Sequence, residues 1–227
     1  MIVFEKVTKK FGQITALEDV SFVIDKGEFV FLTGPSGAGK TTVVKLILGE
    51  YLPSSGEIKV NEERVHKIPA RKLHLWRRKL GVVFQDYKLF SDRTVEENVT
   101  LPLQIQKVPA KEISSRVDKI LALVGLSERA HLFPAQLAGG ELQRASLARA
   151  IVTAPEVLLA DEPTGNLDPV TSLEMVKLLK EINEKGTTVL MATHNQEIVN
   201  SCKTRVIELD KGRVVRDEKE GKYCKNV

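Results

Sequence analysis

The chain has 227 residues, enough to bury a substantial core, and its 34 basic and 30 acidic residues leave a net charge of +4. Two cysteines, Cys202 and Cys224, exclude a disulfide framework. The start lacks the apolar region of a secretory signal, and no apolar run reaches the roughly 18 residues of a membrane span. Only residues 71–79 are densely basic, which favours a solvated helix face, so we expect no direct nucleic-acid binding.

Short apolar segments bounded by turns predict strands in the first sixty residues. These strands are predicted at residues 2–7, 20–24, 29–33 and 57–60. Gly27 and Gly56 mark turns between or beside them. We expect this part of the chain to begin as an antiparallel sheet.

A glycine-rich segment follows the strand predicted at residues 29–33 and matches the phosphate-binding pattern G-x-x-x-x-G-K-[ST] in full. The segment reads Gly34-Pro35-Ser36-Gly37-Ala38-Gly39-Lys40-Thr41, and a predicted helix starts at Thr42. Its glycines let backbone N–H groups turn inward as an anion nest at a helix N-terminus. Lys40 can reach the outer phosphates, and Thr41 can hold Mg²⁺. Residues 34–42 are therefore predicted to bind a nucleoside triphosphate.

The rest of the chain alternates buried strands with helices. Brief apolar strands are predicted at residues 81–84, 157–160, 188–192 and 206–209, followed by a strand at 213–216. Residues 86–155 are mainly helical, and a later helix is predicted with Asp168 as its N-cap and Pro169 at its first position. Helices between strands imply crossover connections and a parallel sheet. We predict an α/β fold with an antiparallel β part and an inserted helical lobe.

Two carboxylates end the strand predicted at residues 157–160, where an open α/β sheet places its ligands. Phosphoryl transfer needs a metal that neutralises developing charge and an acceptor that orients the nucleophile. Asp161 is therefore predicted to assist Mg²⁺ coordination, and Glu162 to polarise the attacking water. Together with the phosphate loop, the pair predicts an ATPase.

Further motifs, in a fixed order, make the chain resemble the ABC-type ATPase family over nearly its whole length. They are Phe11, Gln85, the signature Leu137-Ala138-Gly139-Gly140-Glu141, the loop Gly165-Asn166-Leu167-Asp168, and His194. The resemblance implies one P-loop ABC nucleotide-binding domain over residues 1–227. Within it, residues 1–85 and 156–227 would form the catalytic core with its β subdomain, and residues 86–155 the helical signature subdomain.

The resemblance also implies roles for these residues. Phe11 would stack on adenine, Gln85 would contact Mg²⁺ and sense the γ-phosphate, and His194 would be the catalytic switch histidine. The signature residues Ala138, Gly139, Gly140 and Glu141 would contact the ATP held by a second subunit, in a homodimer that closes on ATP and opens after hydrolysis. The helix start there offers free N–H groups and a positive dipole end.

One position departs from the family pattern. The usual signature serine is Ala138, so a hydroxyl that would bond the γ-phosphate is missing. Hydrogen bonds to charged groups contribute about 1.5 to 3 kcal/mol. We therefore expect closure of the dimer to be weaker or more dependent on a partner, with the enzyme still active.

The run of residues 159–168 resembles the branch of the family with the FtsE cell-division, LolD lipoprotein-release and MacB efflux ATPases. Three passages look most like the FtsE members: residues 31–34 with 36–40, residues 84–86 with 92–95, and residues 189–194. That resemblance implies a peripheral subunit at the cytoplasmic face of the cell membrane. It would drive an FtsX-like integral membrane protein that regulates cell-wall hydrolysis, with residues 85–98 as the contact surface.

An ATPase subunit of a LolD- or MacB-like transporter is the alternative, since it would share every catalytic residue. Related DNA-repair and chromosome-structure ATPases carry a long coiled coil, for which the segment between Lys40 and Leu137 is too short.

Overall fold

The structure is a computed structural model that describes residues 1–221 and 223. Its strands form one four-stranded and one six-stranded sheet. In chain order the strands are β1 (Ile2–Phe11), β2 (Ile14–Ile24), β3 (Phe29–Thr33), β4 (Ser55–Val60), β5 (Glu63–Arg64), β6 (Leu80–Phe84), β7 (Val157–Asp161), β8 (Thr188–Ala192), β9 (Arg205–Asp210) and β10 (Arg213–Glu218). The α-helices are α1 (Lys40–Ile47), α2 (Leu73–Arg77), α3 (Val95–Ile105), α4 (Ala110–Leu123), α5 (Gly139–Ile151), α6 (Pro169–Glu184) and α7 (Gln196–Ser201).

The six-stranded sheet has the order β10-β9-β3-β8-β7-β6, and only β10 runs antiparallel to its neighbour. The parallel register pairs Phe84 with Asp161, Asp161 with Ala192, and Leu32 with Ala192. The carboxyl ends of β6, β7, β8 and β3 therefore lie at one edge, where the predicted site residues that follow these strands emerge.

The smaller sheet has the order β2-β1-β4-β5 and is antiparallel, which confirms the expected start of the fold. Its first hairpin is longer than predicted, because β1 continues to Phe11 and β2 begins at Ile14. Residues 8–19 contain few alternating apolar positions, so their backbone pairing leaves little trace in the sequence. The turn between the strands lies at Gly12, whose φ is 59°.

The core forms two clusters on opposite faces of the six-stranded sheet. Strand β3 contributes Phe29 and Phe31 to the cluster that contains residues of α3 to α7, and Val30 and Leu32 to the one that contains α1 and the smaller sheet. All five residues of β3 are buried. The sequence run is therefore apolar throughout because both faces of the strand are covered.

Helix α2 lies within the basic segment at residues 71–79, and two of its side chains donate hydrogen bonds to the end of α1. The indole of Trp76, 4% exposed, donates to the carbonyl of Ile47 at 2.9 Å. The guanidinium of Arg77 donates to the carbonyl of Leu48 at 3.1 Å, a favourable place for a cation at a helix C-terminus. The neighbouring Leu75 remains 46% exposed.

Helix α6 starts as predicted. The carboxylate of Asp168 accepts the N–H groups of Val170 at 3.0 Å and Thr171 at 3.1 Å, and Pro169 occupies the first helical position. Among the described helices, none has both the length and the apolar character to cross a membrane. Cys202 is buried with a free thiol, and Cys224 lies outside the described residues.

Candidate functional site

A cavity of about 490 Å³ opens at the edge of the sheet where the parallel strands end. Its lining combines the phosphate loop with the residues that follow β6, β7 and β8. The lining residues are Ala16, Ser36, Gly37, Gly39, Lys40, Thr41, Thr42, Gln85, Glu162 and His194. The structure thus brings most of the predicted phosphate, metal and catalytic residues to one place.

The phosphate loop depends on glycine at two crowded positions. Gly34 has φ of 137°, and a Cβ there would collide with the carbonyl oxygen of Leu209. Gly39 has φ of 107°, and a Cβ there would lie 2.8 Å from the carbonyl oxygen of Ala16. Both positions lack room for a side chain and have a φ that favours glycine. The loop can therefore turn tightly into α1, whose first N–H groups are free to meet an anion.

Lys40 is only 7% exposed, and its ammonium is held over the loop. It donates to the carbonyl of Gly34 at 2.8 Å and to that of Pro35 at 3.1 Å. It also lies 3.6 Å from the Glu162 carboxylate. The ammonium therefore stands between the phosphate loop and the predicted catalytic carboxylate, where it can meet the outer phosphates of a nucleotide.

Thr41 and Asp161 form a pair of hard oxygen donors. The Thr41 hydroxyl donates to the Asp161 carboxylate at 3.2 Å. Burial raises the pKa of Asp161 above its ordinary value, and the hydrogen bond from Thr41 partly opposes that effect. A cation beside the carboxylate would offset this cost. Hydroxyl and carboxylate oxygens suit Mg²⁺, which keeps several waters and substrate phosphates among its ligands.

Within residues 1–221 and 223, no group of three or more His, Cys, Asp and Glu side chains could hold a metal alone. Such a cage is not needed for Mg²⁺ bound together with phosphates. The donor set present therefore fits a magnesium ion that arrives with a nucleotide.

Glu162 is held between His194 and the main chain. The Nδ1 atom of His194 lies 2.9 Å from Oε1 of Glu162, and the N–H of His194 donates to Oε2 at 3.4 Å. The N–H of Glu162 donates to the carbonyl of Ala192 at 2.9 Å. Glu162 has φ of 50°, a left-handed conformation that costs about 1 to 3 kcal/mol in a non-glycine residue. The fold therefore fixes the direction of this carboxylate.

Gln85 is tied to the loop that follows Glu162. Its side-chain amide donates to Oδ1 of Asn166 at 3.4 Å, and the Asn166 amide donates to the Gln85 carbonyl at 3.2 Å. A Cβ on Gly165 would lie 2.9 Å from the Gln85 amide nitrogen. The two loops that flank the cavity therefore contact each other directly.

The signature residues lie outside the cavity lining, at the start of α5. Ala138 and Gly139 are exposed. The Glu141 carboxylate accepts the Ala138 N–H at 2.9 Å and the Arg129 guanidinium at 3.1 Å, and these bonds, the first above all, lower the pKa of Glu141. A Cβ on Gly140 would lie 2.6 Å from Cγ2 of Thr171 in α6. The second glycine therefore lets α5 pack closely against α6.

Phe11 also lies outside the cavity lining, at the end of β1. Its ring is 40% exposed and packs edge-on against Tyr51, with the ring centroids 4.9 Å apart. Lys9 places its ammonium 4.8 Å from the Phe11 ring centroid. The exposed ring therefore remains available to a planar partner.

Three residues near these sites were not found from the sequence. Ala16 lines the cavity, but it lies in the part of β2 that the apolar pattern missed. Tyr51 supports Phe11, and Arg129 holds the signature carboxylate. For Arg129 the sequence offers no signal, because it approaches Glu141 only through folding.

Comparisons with known proteins agree with this geometry. A family model described as "ABC transporter" matches residues 17–165. The chain is 50% identical over 224 residues to the cell division ATP-binding protein FtsE of Bacillus subtilis (strain 168), covering 98% of each protein. It is 48% identical over 225 residues to the protein of that name from Mycobacterium tuberculosis (strain ATCC 25618 / H37Rv), again covering 98% of each.

Among solved structures, a dimeric ATP-binding cassette in a post-hydrolysis state, bound to ADP and Pi, superposes with a TM-score of 0.88. It is 36% identical in sequence, and the match covers 98% of this chain and 100% of that one.

Proposed function

This chain belongs to the ABC transporter family and is an ATPase that converts ATP and water to ADP and phosphate, and from that premise we propose that its ATP cycle serves cell division. The subunit would drive an FtsX-like integral membrane protein and so regulate cell-wall hydrolysis. Support comes from the two FtsE relatives, which match the chain almost from end to end at about half of their positions.

The catalytic assignment is carried by one observation, the convergence of Lys40, Thr41, Asp161, Glu162 and His194 at one edge of the sheet. We assign ATP binding to residues 34–42, with Lys40 meeting the outer phosphates. Thr41, Asp161 and Gln85 would hold Mg²⁺, which neutralises the charge that develops on the phosphates. The N–H groups at the start of α1 would hold the remaining phosphate oxygens.

Glu162 is assigned to the attacking water. Its carboxylate is only 15% exposed and faces the cavity, so it can orient the water and accept its proton. The short contact with His194 fixes the carboxylate, and the exposed imidazole can adjust with the nucleotide state. His194 and Gln85 would thus act on the same reaction from two sides of the cavity.

We further propose that the active form is a homodimer. The signature residues Ala138, Gly139, Gly140 and Glu141 lie outside the cavity of their own chain. A second copy would therefore present its α5 N-terminus to the γ-phosphate, and Phe11 would stack on adenine. In this arrangement residues 86–155 form the helical signature subdomain, and residues 1–85 and 156–227 the catalytic core with its β subdomain.

The membrane partner is proposed to dock on the surface of residues 85–98, around Phe90. Phe90 is 47% exposed and borders a groove whose lining includes Leu101, Pro102 and Ile105 of α3. Arg77 and Arg78 line the same groove. An apolar helix end with acidic flanks would match this surface. The subunit would then sit peripherally at the cytoplasmic face of the cell membrane.

In the experiment, tagged Glu162→Gln protein is co-expressed with the FtsX-like protein, or with a lipoprotein-release or efflux permease, encoded in the same genome. The tagged protein is then purified in detergent with Mg-ATP, and the membrane protein that it retains is measured. We expect the FtsX-like protein to be retained. Phe90→Asp should lose it while keeping ATP affinity. Val215→Asp is the matched control, since Val215 is 52% exposed on β10, at the opposite edge of the sheet from β6.

Three results would contradict the proposal in different ways. Retention of the permease instead would assign the chain to transport. Retention of neither membrane protein would contradict both functions. An unchanged FtsX-like complex with Phe90→Asp would contradict the docking site alone.

A further inference from the structure

Helix α5 holds the loop that follows β6 through three side chains on one helical face. Gln143 donates to the carbonyl of Phe84 at 3.3 Å, and Ser146 donates to that of Tyr87 at 3.0 Å. Arg149 reaches the carbonyl of Tyr87 at 3.0 Å and that of Lys88 at 2.6 Å. The three residues are spaced i, i+3 and i+6, so they line up along the helix. Every acceptor is a main-chain carbonyl, so the grip does not depend on the side chains of the loop.

The segment held in this way is strained. Tyr87 has φ of 60° and Lys88 has φ of 53°, both in the left-handed region. Residues other than glycine pay about 1 to 3 kcal/mol there, and such conformations persist only when the surroundings impose them. The donors from Ser146 and Arg149 end on the carbonyls of these two residues. The hydrogen bonds therefore keep the loop in a backbone conformation that its residues would otherwise leave.

Arg149 is suited to this task by its shape. A guanidinium carries its donors in a rigid planar fork, so it can bridge two neighbouring carbonyls, whereas an ammonium acts as a point charge. Burial lowers the pKa of Arg149, and the two carbonyls replace part of the hydration that it loses. The Tyr87 carbonyl accepts from both Ser146 and Arg149, which uses both of its lone pairs.

The held loop lies between two parts of the proposed machinery. Gln85, at the cavity, is two residues from Tyr87. The Tyr87 hydroxyl lies 3.3 Å from the position of a Cβ on Gly139, at the start of the same helix. Tyr87 therefore lies beside the N-terminus of α5 with its hydroxyl and is bonded further along the helix through its carbonyl. A shift of this loop would strain or break these contacts with the signature helix.

We propose that Ser146 and Arg149 are positioning residues that lock residues 85–88 to α5, so that Gln85 and the signature helix move as one unit. The proposal deepens the proposed function, because it rests on the roles given there to Gln85 and to the signature. Nucleotide held at Gln85 would thereby set the direction in which the start of α5 faces the second copy. Loss of the lock would leave each copy able to bind ATP but unable to align its signature.

The first test is amide hydrogen exchange in Ser146→Ala and Arg149→Lys, without nucleotide. Arg116→Lys is the matched control, because Arg116 pairs with Glu112 at 3.0 Å on the exposed face of α4, away from the loop. We expect exchange at residues 86–90 to speed up about tenfold in Arg149→Lys, which loses a charge-assisted hydrogen bond, and about threefold in Ser146→Ala, which loses a neutral one. Exchange within α5 and the phosphate loop should match wild type.

The second test measures steady-state ATP hydrolysis in the same variants. We expect kcat to fall about tenfold, with KM for ATP within about twofold of wild type. In the Glu162→Gln background, ATP-dependent dimers should weaken in parallel, as light scattering would show. Arg149→Lys keeps the charge and can still bond one of the two carbonyls, so it should retain more activity than Arg149→Met.

Unchanged exchange at residues 86–90 would overturn the lock. Faster exchange throughout α5 would assign the two residues a merely structural role and overturn their positioning role. Faster exchange confined to the loop, with normal kcat and dimerisation, would overturn the coupling. The exchange measurement needs no ATPase activity, so failure of the lock is distinguishable from failure of the proposed function. Ser146→Ala removes only one hydroxyl, which keeps the test usable if Arg149 variants fold poorly.

Discussion

The N-termini of α1 and α5 are built from the same chemistry and placed in opposite settings. Each follows a capping residue without a side-chain acceptor, Gly39 or Ala138, so each offers bare N–H groups to an anion. The start of α1 lies in the cavity with the ammonium of Lys40 beside it. The start of α5 is exposed and outside that cavity. In the proposed homodimer, the first anion site is complete within one chain, and the second acts on the nucleotide of the other copy.

Glu162→Gln should slow hydrolysis while leaving the N-termini of α1 and α5 unchanged, and it is expected to have the largest effect. A positioned base supplies about 10²- to 10⁴-fold in rate, so single-turnover hydrolysis should slow by that factor. ATP affinity should stay near wild type, because the phosphate loop is untouched. Near-normal turnover would remove Glu162 from its assigned role.

Lys40→Ala should break the complete site. In the proposed site the ammonium would meet the phosphates through charge-assisted bonds worth about 1.5 to 3 kcal/mol, so we expect ATP affinity to fall by about tenfold to a hundredfold. Equilibrium binding of a fluorescent ATP analogue measures it. Lys59→Ala, on β4, is the control, since Lys59 pairs with Glu5 at 3.0 Å away from the cavity. Equal affinities in both variants would contradict the phosphate-loop assignment.

Ala138→Ser should strengthen anion binding at the N-terminus of α5. Serine at a helix N-cap contributes about 1 kcal/mol relative to alanine, so the thermal midpoint should rise by a few degrees. The hydroxyl should also tighten the ATP-bound Glu162→Gln dimer, by up to about tenfold, without changing ATP affinity of the monomer. Ala135→Ser, three residues earlier, is the control. Tighter ATP binding by the monomer, with no change in the stability of the dimer, would contradict the assignment of α5 to the second copy's nucleotide.

Glu141→Gln should give the smallest effect, and it depends on pH. The folded-state pKa of Glu141 is lowered, chiefly by the Ala138 N–H. Its charge therefore stabilises the fold above the unfolded-state pKa, and this contribution is lost as pH falls through the lowered folded value. For this partly exposed group at a helix N-terminus we expect about 0.3 kcal/mol at pH 7 after solvent screening. Thermal unfolding should show the difference at pH 7, and the difference should shrink as pH falls below the unfolded-state pKa of Glu141; a difference independent of pH would contradict it.

Much of the fold could be predicted from local patterns. The strands at residues 29–33 and 188–192 match β3 and β8 at both ends, since both are apolar runs buried on two faces. The cap at Asp168 was also predicted correctly. The length of the β1–β2 hairpin was underestimated, because cross-strand backbone pairing, rather than side-chain burial, extends it.

The shape of the phosphate loop was predictable, because the motif at residues 34–41 contains its own geometry. The site was not predictable where distant segments meet. Arg149 and Lys88 are far apart in sequence and bond through a backbone carbonyl, which leaves no mark on the residue types of the loop. The support of Phe11 by Tyr51 and of Glu141 by Arg129 was hidden for the same reason.

The chain contains one tryptophan, Trp76, and its indole N–H is bonded to the last residue of α1. Helix α1 begins in the phosphate loop, so the fold places the single tryptophan at the far end of the helix that is proposed to hold the phosphates. Because the indole is buried and donates a hydrogen bond to that helix, its fluorescence emission depends on the electric field and the packing at the end of α1. Nucleotide binding to unlabelled protein could therefore be followed by stopped-flow tryptophan fluorescence, because the indole of Trp76 is bonded to Ile47 of that helix.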